Sequence, residues 1–254
     1  MKEGKKIYFA SDLHLGAPYI KDPREHEVRF VRWLDTIKDD AESIYLLGDI
    51  FDFWYEYKYS IPKGFTRFFG KLSELTDSGI DVHIFTGNHD VWLFDYLPTE
   101  CGVTVHEREL VTLFGNKKFF LAHGDELGTF DRAYLFMKKL FRNKFAQWCF
   151  SKLHPDIAIG FAKWWSVKSR AKNEKSHKTE YQGDDKEWPV LFAKDFIKEN
   201  PDIDYFIFGH RHIAKEIPIT GSASMIIYLG DWVKNFSYAE FDGKKVSLKF
   251  FEKK

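Results

Sequence analysis

The sequence predicts an α/β domain built largely on parallel strands, and three observations carry that prediction. Short runs rich in β-branched and aromatic residues alternate with segments whose apolar residues recur at helical spacing. Several of these runs stop at a glycine beside Asp, Asn or His. The chain has 254 residues, 44% of them hydrophobic, which is enough for one large core.

The elements follow in order. "KKIYFA" reads as a strand. "PREHEVRFVRWLDTIKDD" reads as a helix, with Pro23 at its start and Val28, Val31, Leu34 and Ile37 along one stripe. "SIYLLG" and "DVHIFTG" are the second and third strands, with a helix around Phe65 to Leu75 between them. "ELVTLFGNKKFFLAHG" reads as a hairpin turning at Gly115-Asn116. "DYFIFGH", "MIIYLGDW", "FSYAEFDG" and "KVSLKFFE" are later strands, the last two paired across Asp242-Gly243. No repeat or low-complexity linker divides the chain, so residues 1–254 read as one domain.

The segment 130–178 breaks the alternation. It is helical in pattern and carries 12 Lys or Arg against 3 Asp or Glu, a balance of +9 in a chain whose net charge is zero. It also holds ten aromatic residues, and Phe130, Tyr134, Met137, Phe141, Phe145 and Trp148 fall near one helical face. An ordinary helical hairpin on the core accounts for some of these aromatics, but it has no need of the charge. A basic amphipathic segment suits an anionic membrane surface or an acyl chain. The expectation is a helical lid inserted in the domain. Nucleic acid is the weaker partner, because the segment is too apolar for it. No protein partner is implied.

No apolar run approaches the roughly 20 residues of a membrane span. The N-terminal residues turn polar too soon for a secretory signal, and Cys101 and Cys149 lack metal-type spacing. A cytoplasmic location is expected.

"FTGNHDVW" shows what the strand ends have in common. A turn uses Gly87 and Asn88, but it has no need of His89 and Asp90 after them. Asp12 and His14 follow the first strand, Asp49 the second, His123 a later one, and His210 and His212 another. Sites in open α/β sheets assemble at the carboxyl ends of strands. A lone Asp at such a place is ordinarily a helix cap and a lone His an incidental residue; five such ends argue for a common site. Two Asp, one Asn and four His offer mixed oxygen and nitrogen donors without thiolate. That set suits Mn, Fe, Co or Zn better than Ca. Seven ligands exceed the needs of one ion and match two ions about 3.5–4 Å apart sharing a carboxylate.

The set Asp12-x-His14, Gly48-Asp49, Gly87-Asn88-His89-Asp90, His123-Gly124-Asp125 and Gly209-His210-x-His212 resembles the calcineurin-like metallophosphoesterase family. The resemblance implies a four-layer α/β/β/α sandwich. It implies one metal on Asp12, His14, Asp49 and His212, and a second on Asp49, Asn88, His123 and His210, with Asp49 as the bridge and manganese the expected ion. His89 would be the general acid or the cation facing the phosphoryl oxygens, and Asp90 would orient it. "GDIFDFW", "HGDELGTFDRAY", "KSRAKNEKS" and "YLGDW" are similar, more narrowly, to the UDP-2,3-diacylglucosamine hydrolases of lipid A synthesis. That likeness implies cleavage of the pyrophosphate of a UDP-linked diacylated glucosamine at the cytoplasmic membrane face. Asn88, Asp131, Ser169, Asn173, Lys175 and His210 would touch the substrate. Two departures stand out: His89 where well-known members carry Arg, and Ser176 where their lid carries Lys. A soluble nucleotide or another phosphodiester is the rival substrate, and a non-catalytic scaffold is a further rival that has no use for seven donors.

Overall fold

The computed structural model describes residues 1–127, 132–175 and 180–252, without the side chains of 132–134, 165 and 169–175. Two sheets stack face to face. The first runs β11-β10-β1-β2-β3-β4, made of Val246–Phe250, Ser237–Phe241, Lys6–Ala10, Ala41–Leu46, Asp81–Phe85 and Thr104–His106. The second runs β5-β6-β7-β9-β8, made of Leu110–Phe114, Lys117–Ala122, Tyr205–Phe208, Met225–Leu229 and Ala214–Pro218. β1 to β4 are mutually parallel, as are β6, β7 and β9; antiparallel strands close the edges at β10, β11, β5 and β8. Both hairpins expected from the sequence are formed.

Period-two alternation sorts the strand residues into layers. Phe9, Tyr45, Phe119, Leu121 and Ile207 point into the core between the sheets. Tyr8, Ala10, Ile44, Leu46 and Ile84 point the other way, onto helices α1 (Pro23–Ile37), α2 (Thr66–Asp77) and the short α3 (Tyr96–Cys101) through Phe30, Trp33, Leu34, Phe68, Leu72 and Leu97. Phe120, Phe206, Phe208 and Tyr228 meet α7 (Trp188–Glu199) at Val190 and Ala193. These contacts make four layers, α/β/β/α. α1 begins where Asp22 accepts the Glu25 amide at 2.9 Å and Pro23 takes the first turn. α2 lacks a side-chain cap of its own. Glu27 of α1 serves instead, accepting from Arg67 N at 2.8 Å and Phe68 N at 3.0 Å.

The segment after β6 forms α4 (Arg132–Phe141), α5 (Lys144–Phe150) and α6 (Pro155–Lys175). Phe130 and the side chain of Tyr134 lie outside the described residues; over the rest of the expected face, Met137 to Trp148, the single helix is broken. Asn143 caps a new helix by accepting Ala146 N at 3.0 Å, and this divides the aromatics between two axes. Phe141 turns toward Trp92, with ring centroids 5.4 Å apart, while the Trp92 indole N–H donates to the Phe141 carbonyl at 2.7 Å. Phe150 packs on Tyr55 and Trp92 at 4.7 and 4.6 Å. Phe145 and Trp148 face outward, stacked on each other at 5.9 Å. The basic charge also divides. Lys138 is buried in an ion pair with Asp125, and Arg142 reaches Glu126 at 2.8 Å. Among the described residues, no helix is long and apolar enough to cross a membrane.

Candidate metal centre

The parallel strands of both sheets end at one edge of the sandwich, and the chain turns there at each end. The loops after β1, β2 and β3 carry Asp12 and His14, Asp49, and Asn88 to Asp90. The loops after β6 and β7 carry His123, His210 and His212. Backbone bonds lace these loops together: Asp12 N to Gly48 O at 3.1 Å, His14 N to Asp49 O at 3.0 Å, and Gly209 N to His123 O at 3.0 Å. Glycine is required where the loops cross. A Cβ on Gly87 would come within 2.1 Å of Asp49 Oδ1, and one on Gly209 within 2.0 Å of Ser11 Oγ.

Seven non-glycine residues among those described have positive φ, and five of them are Asp12, His14, Asp49, His210 and His212. Each such residue costs on the order of 1–3 kcal/mol and persists only where its surroundings hold it. The carboxylates show what holds them. Asp12 Oδ2 accepts Ser11 Oγ at 2.6 Å and His210 N at 2.8 Å, and Asp49 Oδ1 accepts His89 N at 2.9 Å. The other oxygens, Asp12 Oδ1 and Asp49 Oδ2, are buried without a hydrogen-bond donor. Buried carboxylate oxygens left in this way call for a cation.

The imidazoles supply the rest of two clusters, Asp12-His14-His212 and Asp49-His123-His210, with His14, Asp49 and His89 grouped between them. Asp49 Oδ2 lies 3.8 Å from His14 Nε2 and 3.4 Å from His123 Nε2, so one atom faces both clusters. His212 Nε2 is 3.3 Å from Asp12 Oδ1, and the Asn88 amide oxygen is 3.4 Å from His123 Nε2. Two ligands about 2.1 Å from a shared ion stand about 3.0–3.4 Å apart at octahedral or tetrahedral angles. The donors therefore fit a divalent ion in each cluster.

The far sides of the rings fix which nitrogen is offered. His123 Nδ1 donates to Leu47 O at 2.7 Å, His212 Nδ1 to Asp231 Oδ2 at 3.1 Å, and His89 Nδ1 to Asp52 O at 3.0 Å. His14 Nδ1 stands 3.4 Å from Asp52 Oδ1. Each ring is thus turned with Nε2 toward the cluster, as outer partners of ligating histidines turn theirs. The electrostatics agree. Burial alone would raise the Asp49 carboxyl, but the His123, His89 and His14 imidazoles hold it well below the carboxylate range. Burial pulls His123 down, yet the Asp49 and Asp12 carboxylates lift it to about 10, a demand for positive charge that a metal ion meets equally. Burial and the adjacent His123 lower His210 to about 3, the neutral form a ligand needs.

One role expected from sequence is corrected. Asp90 does not orient His89. Its carboxylate accepts the amides of Gly87 and Ile50 at 2.7 Å each and those of Asp49 and Phe51 at 3.3 Å each. It shapes the Asp49 loop, while Asp52, which sequence reasoning passed over, backs both His14 and His89. Asp231 was also missed, although "LGD" after β9 repeats the strand–Gly–Asp ending of Gly48-Asp49. Of the expected substrate contacts, Asn88 and His210 stand in the clusters. Asp131 and Ser176 lie outside the described residues, as do the side chains of Ser169, Asn173 and Lys175 on α6.

A two-sheet sandwich with Asp and His donors gathered at its parallel strand ends defines a metallophosphoesterase. The calcineurin-like phosphoesterase family matches residues 5–214, and the chain belongs to it. The chain is 42% identical to a UDP-2,3-diacylglucosamine hydrolase from Porphyromonas gingivalis, over 97% of this chain and 98% of that one. A hydrolase of the same name from Histophilus somni is 29% identical over 93% of this chain and 96% of its own. Among solved structures, a dimetal phosphatase from Danio rerio matches with a TM-score of 0.49 and 13% identity, over 98% of this chain and 96% of that one.

Proposed function

We propose that the chain hydrolyses the pyrophosphate bond of UDP-2,3-diacylglucosamine, giving UMP and 2,3-diacylglucosamine 1-phosphate for lipid A synthesis. The observation that carries the substrate is the 42% identity, over nearly the full length of both chains, with a hydrolase of that name. The centre supports the reaction class. Asp12, His14, Asp49 and His212 would hold one divalent ion and Asp49, Asn88, His123 and His210 the other, manganese being the expected metal. When bound, the ions supply a nucleophile active at neutral pH and neutralise charge on the phosphoryl oxygens.

His89 does the remaining polar work. Its Nδ1 is committed to Asp52 O, which leaves Nε2 to donate to a phosphoryl or leaving-group oxygen. Burial tends to strip its proton, while the neighbouring Asp49 and Asp52 carboxylates act the other way and raise the imidazole above its ordinary value. Asp52 fixes the ring and Asp90 fixes the loop on which Asp49 rides.

Residues 130–178 serve as the lid, with Asp131, Ser169, Asn173 and Lys175 as its contacts to the substrate head and its apolar face toward the acyl chains. In support, Phe136 and Phe145 are 68% and 71% exposed, and Ile157, Phe161 and Trp164 are exposed along one side of α6. The +9 balance suits an anionic surface at the cytoplasmic face of a membrane.

The test is an assay of the Mn-loaded protein on UDP-2,3-diacylglucosamine and on a simple aryl phosphodiester. UMP release from the lipid, with kcat/KM well above that for the aryl ester, is the expected result. Cleavage of the aryl ester or of a soluble nucleotide with none of the lipid would overturn the substrate assignment.

A further inference from the structure

His210 and His212 flank Arg211 in the loop after β7, and both take left-handed backbone, with φ of 64° and 52°. Side-chain-bearing residues stay in that region only where neighbouring structure fixes them. One side of the loop is fixed by Asp231 on the His212 ring and by Asn235 Nδ2 donating to His212 O at 3.0 Å. The other side is held by Arg211. Its Nε donates to Glu187 Oε2 at 2.8 Å and a terminal nitrogen to Glu187 Oε1 at 2.9 Å, while that same nitrogen reaches the Glu180 carbonyl at 3.3 Å. The Glu187 side chain is 1% exposed, and its Oε1 also accepts Gln182 N at 3.1 Å. A two-pronged pair of this kind fixes direction as well as distance, and a buried one is intolerant of losing a single partner.

We infer that Arg211 and Glu187 are positioning residues of the metal centre. Their ion pair, buried at the Glu187 end, holds the His210–His212 loop in the shape that brings both imidazoles to the donor clusters. It fastens that loop to the chain where it returns from the helical segment into α7. Neither residue belongs to the donor clusters, and the inference rests on the two-ion reading above. Arg211 lies between the two motif histidines, at a position the motif leaves open, so spacing alone gives it no role.

The experiment is calorimetric titration of the metal-stripped full chain with Mn²⁺ alone, alongside melting of the metal-free protein. Outer partners of ligating histidines carry about 10- to 100-fold in metal affinity. Glu187→Gln and Arg211→Lys, the latter keeping the charge but losing the fork, should each weaken Mn²⁺ binding by about that factor. The double variant Arg211→Met with Glu187→Met leaves no unpaired buried charge and so preserves folding even if a single variant does not. It should melt near the wild-type temperature without metal and still bind Mn²⁺ about tenfold or more weakly. If the wild type binds two ions and the folded double variant binds both equally well, the inference falls alone. If the wild type takes up no Mn²⁺, the two-ion reading falls and takes the inference with it.

Discussion

Helices α1 and α4 carry the same kind of amphipathic pattern and spend it in opposite ways, and α5 and α6 continue the exposed side of the contrast. In α1, Phe30, Trp33 and Leu34 are wholly covered by sheet and neighbouring helix. Among the described residues, α4 to α6 are anchored by Phe141 and Phe150 on Trp92 and Tyr55, by the Tyr55 hydroxyl donating to Gln147 O at 2.8 Å, and by Lys138 and Arg142 in ion pairs with Asp125 and Glu126. Phe136, Phe145, Trp148, Phe161 and Trp164 remain outside. A run of large apolar side chains in water is a cost unless another molecule covers it. Periodicity locates an apolar face but does not say what will cover it. For α1 the answer is the chain itself, and for the inserted helices the proposed answer is lipid.

The largest effect sharpens the contrast from the side of the site. Asp49→Asn should lower activity by several orders of magnitude and metal content below two ions per chain, since Asp49 Oδ2 faces both clusters. Metal analysis together with rates checks this; two ions retained at near-normal rate would refute the bridge. His89→Ala should lower kcat by about 10²–10⁴-fold with metal content unchanged, the contribution expected of a general acid. A parallel loss of metal would make His89 a ligand instead.

The next two act on the helices directly. Phe30→Ala in α1 should destabilise the protein by about 3–5 kcal/mol. Phe136→Ala on α4 should change it by less than about 0.5 kcal/mol. Denaturant titration compares them, and equal losses would mean the inserted helices are ordinary core. The smallest effect is the most specific. Phe145→Ser with Trp148→Ser should raise KM for the diacylated substrate while leaving turnover of an aryl phosphodiester and the melting temperature nearly unchanged. Each CH₂ that loses contact is worth roughly 0.8 kcal/mol, so a several-fold rise in KM is expected. An unchanged KM for the lipid would remove the acyl-chain role of this face.

The strand ends were legible because they join two local signals, an apolar run and a glycine followed by a polar donor. Asp12, Asp49, Asn88, His123, His210 and His212 are all brought together where that pattern placed them. The role of Asp90 is not legible in sequence, because adjacency along the chain does not make partners in space. Consecutive loop residues diverge, and Asp90 turns back onto the amides of Asp49 to Phe51. Asp52 carries no spacing signal; its role exists only because the loops after β1, β2 and β3 converge. β4 has three residues, and β8 holds Lys215, Glu216 and a terminal Pro218, so neither offers a readable alternation, as befits edge strands. α7 did carry a signal, Pro189 in its first turn with Val190, Ala193 and Ile197 at helical spacing. The break at Asn143 was hidden because Asn both caps helices and occurs within them.

His14 Nε2 and His212 Nε2 stand 3.3 Å apart, although 198 positions of chain separate them. No fragment that lacks either the loop after β1 or the loop after β7 contains both, and the entropy of closing so long a loop must be met before the contact can form. The donor cluster therefore exists only where both loops are in their native places, and an ion held there would favour the native state as a whole. By mass action, each tenfold rise in free ion above its dissociation constant deepens the native well by about 1.4 kcal/mol. Chelation should accordingly lower the unfolding temperature of strands far from the centre as much as that of the loops, so that holding metal and staying folded are one equilibrium.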